Sequence, residues 1–147
     1  MRNVLVAALV VSLAACSGSS TAPSMLSAGD TTSIAGSWNG TIASSNNATM
    51  QVAMILTQTG SDYRGTWNST SVSWAGEITG TVGGSTIDGQ FTFNGTAADG
   101  TACTGTATVT GTATASTMTL NSASGVVGPA CPAPLPVGLT MDLRRQS

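Results

Sequence analysis

The sequence predicts an all-β protein: eight antiparallel strands in an up-and-down meander that closes into a small barrel. Three observations predict it. Helical periodicity is absent after the first 15 residues, and apolar and polar residues alternate with period two almost everywhere. Turn residues recur at short spacing between the alternating runs; Asn46-Asn47, Gly60-Ser61-Asp62, Gly83-Gly84-Ser85 and Asp99-Gly100 are the clearest. Short connections of this kind join antiparallel neighbours. The third observation is a repeated pattern of apolar, any, Gly, any, apolar. It occurs as Ile34-x-Gly36-x-Trp38, Tyr63-x-Gly65-x-Trp67, Trp74-x-Gly76-x-Ile78 and Ile87-x-Gly89-x-Phe91, among others. Each Gly falls on the inward parity. There it lets a strand bend sharply and pack closely, which a narrow barrel needs. A backbone surface opened for a ligand is the other reading of the same glycines. A two-sheet β-sandwich uses the same alternation and is the alternative fold.

The first element is a leader. Arg2 precedes a short apolar run, Val4 to Leu13. A helix needs about 20 apolar residues to cross a bilayer, so this run reads as a cleaved signal peptide over residues 1–15. Leu13-Ala14-Ala15-Cys16 resembles a bacterial lipobox. The resemblance implies cleavage before Cys16 and lipidation of that residue. Two or three acyl chains hold a protein stably, at about 0.8 kcal/mol per buried methylene. The expected partner at this end is therefore a membrane, in the bacterial cell envelope. Ser17 rather than Asp follows the Cys, which in Gram-negative lipoproteins, which this leader resembles, favours the outer membrane.

Residues 16–33 contain little besides Ser, Thr, Ala and Gly. They cannot bury enough surface to order themselves and read as a flexible tether. The barrel domain then spans 34–147, a single domain long enough to bury one real core. Beyond the leader the chain has three Arg against six acidic residues, a net charge of −3, and no Lys or His. No basic stripe exists for nucleic acid, so no such partner is expected.

The strands are expected near 36–44, 49–58, 62–69, 72–82, 86–95, 101–112, 115–122 and 137–145. The first opens on Gly36-Ser37-Trp38. In the second, Met50, Val52, Met54 and Leu56 alternate with Gln51, Ala53, Ile55 and Thr57. The third carries Tyr63, Gly65 and Trp67 on one parity. In the fourth, Val72, Trp74, Ile78 and Val82 oppose Ser73, Glu77, Thr79 and Thr81. Ile87, Phe91 and Phe93 share a face of the fifth, and Val109, Gly111 and Ala113 a face of the sixth. The last alternates Val137, Leu139, Met141 and Leu143 with Thr140, Asp142 and Arg144. Abundant Thr suits a pleated, half-exposed wall. Only the stretch from Gly125 to Pro136 reads as a long loop.

The chain has three Cys. With Cys16 taken by lipid, Cys103 and Cys131 remain as a pair in an oxidising compartment and are expected to form a disulfide. A loop of that length contributes roughly 3–4 kcal/mol in the chain-entropy model. Two buried free thiols are the alternative.

Catalytic chemistry has few routes here. Without His there is no Ser-His-Asp or Cys-His system, and without Lys no Schiff base. Paired carboxylates remain. Asp62, Asp88 and Asp99 sit at or near turns, and Glu77 and Asp142 lie on outward parities. No two acids share an inward face. No catalytic residues, metal ligands or cofactors are expected, and the chain reads as a non-enzyme. Trp38, Trp67, Trp74 and Phe91 are the candidate ligand-binding residues, because aromatics lining a barrel mouth would make an apolar pocket. Filling the core is the competing role for the same side chains. The expected function is a lipid-anchored, non-enzymatic binding or interaction module of the envelope that takes a small apolar ligand. The alternative is a structural protein that docks an envelope partner through its outer surface.

Gly36-Ser37-Trp38 on the first strand, with Arg144 or Arg145 on the last, resembles the calycin pattern of lipocalins, fatty-acid-binding proteins and avidins. That resemblance implies a Trp near the barrel floor, covered by a basic residue from the final strand. Gly65-Thr66-Trp67 and Leu143-Arg144 are most similar to avidin-type barrels. Avidins clamp biotin with further Trp residues from later strands. This chain has none after Trp74, so the resemblance implies the fold and not that ligand.

Overall fold

The computed structural model describes residues 31–44, 49–96, 100–127 and 138–147. The leader, Cys16, Asn46-Asn47, Asp99 and Cys131 lie outside them. Eight strands follow one another among the described residues: β1 (Gly36–Ser44), β2 (Thr49–Thr59), β3 (Asp62–Ser69), β4 (Trp74–Gly83), β5 (Thr86–Thr96), β6 (Ala102–Ala113), β7 (Thr117–Val127) and β8 (Leu139–Arg145). Each pairs antiparallel with the next, and β8 returns to β1 with Ile42 opposite Met141. The meander is a closed barrel and not the sandwich.

Turn chemistry sets the hairpins. Gly60 and Gly84 each take φ +60° in two-residue connections, as mirror-image turns require at their first central position. The connection from β6 to β7 is closed by Thr114, whose hydroxyl accepts from the Ser116 and Thr117 amides. Ser69 acts alike after β3, accepting from the amides of Ser71 and Val72 and donating to the Gln51 carbonyl. This turn corrects the expected start of the fourth strand. Pairing resumes only at Trp74, and Val72, expected inside, is half exposed. The Ser69 hydroxyl occupies the amides that a ladder would have used.

The seventh strand also differs, running to Val127 rather than stopping near 122. Thr108 pairs with Ser124 while Val109 pairs with Ser122. Ala123 is therefore the extra residue of a bulge. Alternation breaks there, so the sequence pattern ended where the strand did not.

The inward glycines let strands meet. A Cβ at Gly40 would lie 1.9 Å from the Asp142 carbonyl oxygen, and one at Gly111 would lie 2.0 Å from that of Thr119. Others sit beneath aromatic rings: Gly89 under the Tyr63 hydroxyl, Gly95 under the Trp74 ring. These positions let neighbouring strands approach closely, and rings cover two of them from inside.

Inward positions form one apolar cluster, with Met50 and Trp74 half buried at its edge. The two barrel ends differ. At the floor, residues 31–35 reach across from the β4–β5 turn to β8. The Thr32 amide donates to the Gly84 carbonyl, the Ile34 amide to Gln58 Oε1 at 2.7 Å, and Gln58 Nε2 donates back to Gly60. Ile34 is completely buried. Contacts with the barrel thus begin at Thr32, two residues before the expected domain start. The other end, the rim, carries the β3–β4 turn, Met50 and Trp74.

Candidate functional site

The four candidate aromatics fall at three levels of the barrel. Trp38 lies on the floor, fully buried, and its indole NH donates to the Ile34 carbonyl at 2.9 Å. Arg145 covers it, with Cζ 4.5 Å from the ring centroid. The same guanidinium donates to the carbonyls of Ser33, Ala35 and Ala115. Of the two arginines at the chain end, Arg145 takes this position and Arg144 is exposed.

Trp67 and Phe91 stack in the middle of the barrel, centroids 4.6 Å apart and planes inclined by 19°. The Trp67 indole NH donates to the Thr92 carbonyl. Both rings are buried, at 2% and 1% exposure. Trp74 is brought together with Phe93 instead, at the rim, with centroids 5.9 Å apart. It is the one member of the four that is only partly buried.

An interior hollow large enough for water would leave accessible surface on its lining. Trp38, Ile78, Ile87, Val109, Leu120 and Met141 have 0–1%. A ligand pocket also needs a few polar groups that converge on the ligand. Among the described residues, no buried side-chain nitrogen or oxygen lacks a hydrogen-bond partner. The described interior is packed, and its polar atoms are already engaged.

Tyr63 is the buried titratable group of this interior. It lies beneath Gly80 and Gly89, and its hydroxyl makes a long 3.5 Å contact to the Asp88 carbonyl. Burial, with a smaller contribution from the Asp88 charge, pushes its pKa up to about 12. It stays a neutral phenol at physiological pH. Cys103 is fully buried near the rim end of β6. The acids Asp62, Glu77, Asp88 and Asp142 are all exposed on the outside. No group of three potential metal ligands occurs among the described residues.

The outer wall carries mostly Thr. A large aliphatic interrupts it at Ile55 on β2, 61% exposed. It borders an open depression of about 410 Å³ that also meets Thr57, Arg64, Thr66, Glu77 and Thr79. The alternation of β2 already puts Ile55 outside. A large aliphatic on a polar parity is the signal that sequence reasoning passed over. Ser69, buried and central to its turn, carried no signal beyond being Ser. No known protein family, curated protein or solved structure matches this chain.

Proposed function

We propose that this protein is a lipid-anchored barrel of the bacterial cell envelope, on the outer membrane, that works as a non-enzymatic interaction module. It docks a partner through its outer surface. The observation that carries this reading is that the interior is packed among the described residues. Trp38, Trp67 and Phe91 have no free face to offer a small apolar ligand. Among the described surfaces, the outer wall is the one offered for recognition. The anchor is Cys16, after Leu13-Ala14-Ala15, and the tether behind it gives the barrel reach from the membrane. The calycin likeness belongs to the same proposal, with Trp38 under Arg145 as its support.

A disulfide between Cys103 and Cys131 completes the reading. Val127 stands opposite Gly105, two residues from Cys103. Cys131 follows four residues later, within easy reach of a chain that spans about 3.3 Å per residue.

A second reading has one observation in its favour. Trp74 is only partly buried beside Phe93 and Gly95, and an apolar group could pack against it at the rim. Native mass spectrometry of protein drawn from its own membrane separates the two. A bound macromolecule supports outer docking, and a small-molecule adduct lost on Trp74→Ala supports the rim. Replacing Cys16 by Ser should release the protein from membranes or block its processing. Unchanged mass and fractionation would remove the anchor.

A further inference from the structure

We propose that the outer face of β2, β3 and β4 docks a second copy of this chain, with Ile55 near the two-fold axis and Arg64 of each copy facing Glu77 of the other. This rests on the outer-wall reading above and names its partner.

The register carries the geometry. Ile55 stands opposite Thr66 and Thr66 opposite Glu77, while Arg64 stands opposite Thr57 and Thr79. Arg64 and Glu77 are thus diagonal neighbours on adjacent strands, and both are exposed. No ion pair joins them within the chain. With ordinary sheet spacings, Ile55 lies about 8 Å from Arg64 and about 10 Å from Glu77. It therefore falls close to the line equidistant from the two charges. An axis along that line, parallel to the wall and just outside it, exchanges the two charged positions and lays Ile55 against its own copy.

A two-fold interface must be self-complementary, each patch meeting itself. This patch meets that condition with one cation, one anion and one apolar residue on the line equidistant from them. A partner of a single charge sign would satisfy one of the charges and oppose the other. Among the described residues the other exposed large hydrophobic, Val72, lies at the rim. A patch centred on three side chains is small beside the roughly 20–30 residues a side of a stable free complex. The contact is accordingly weak in dilute solution and depends on the high local concentration of tethered molecules.

The test uses the full chain in its own membrane. Ile55→Cys under mild oxidation should give a reducible dimer, and Val72→Cys should not. Adding Arg64→Glu or Glu77→Arg to Ile55→Cys should lose the dimer, and adding both should restore it. Melting curves of each variant confirm that these exposed substitutions leave the fold intact. A monomeric Ile55→Cys protein, or a dimer that survives either single reversal, overturns the proposal. The outer-wall reading fails on a separate result: a small molecule, with no macromolecule, as the bound species in the native mass spectrum.

Discussion

Trp38 is held by two different chemistries: Arg145 over its ring face, and the Ile34 carbonyl at its indole NH edge. Trp38→Ala removes a buried aromatic that its sealed surroundings cannot refill. A loss of about 3–5 kcal/mol is expected, read as a fall in the thermal midpoint of at least about 10 °C. Midpoints within a few degrees of the parent would show that the ring is not core. Tyr63 gives a second residue-scale prediction. Its folded pKa of about 12 exceeds the ordinary 10.0, so the unfolded chain ionises first. Its contribution to stability is whole below pH 10 and is lost as pH rises through 12. Denaturant midpoints measured between pH 9 and pH 12, for the parent and Tyr63→Phe, should diverge in slope, with the variant much flatter in that window. Parallel profiles would mean that the phenol ionises freely in the folded state.

At the scale of elements, strand contacts decide what each Gly tolerates. Gly89→Ala places a Cβ 2.2 Å from the Tyr63 hydroxyl and 2.6 Å from the Thr79 carbonyl oxygen. Ring and backbone must both yield, at a cost of about 1–3 kcal/mol. Gly83, at the end of β4, has nothing within 4 Å of such a Cβ, so Gly83→Ala serves as the neutral control. Equal midpoints for the two variants would contradict the packing described. The rim supplies another element-scale prediction, the bridge from β6 to the segment after β7. Thiol labelling of denatured, unreduced protein should leave Cys103 and Cys131 unmodified. Reduction should then expose both and lower stability by roughly 3–4 kcal/mol. Labelling of both residues before reduction removes the bridge.

For the whole molecule, a closed meander leaves no unpaired edge between β1 and β8 over the residues where they pair. It also has to fill or vacate its centre, and the described centre is filled by Trp, Phe, Met and branched aliphatics. An environment-sensitive apolar dye should therefore stay at its aqueous emission with native protein. It should brighten only across unfolding. Stoichiometric brightening with the native protein would reveal a cavity and return the small-ligand reading to favour.

The sequence by itself determined the class, the number and order of strands, and most of their bounds. Period-two alternation and paired turn residues are local properties, and β2, β3 and β5 lie within a residue of where those patterns put them. Two failures were local as well. Val72 kept the parity of β4, but the Ser69 hydroxyl had already turned the chain. A bulge at Ala123 shifted the phase of β7 midway. Only the tertiary structure decided closure over sandwich, because both give the same alternation. It also decided which arginine covers Trp38, since a strand end frays out of phase and either neighbour could have served. The packed interior was likewise beyond the sequence. Inward parity says that a ring faces the axis, but whether rings meet there depends on how closely eight walls approach, and the glycines under Tyr63 and Trp74 set that approach.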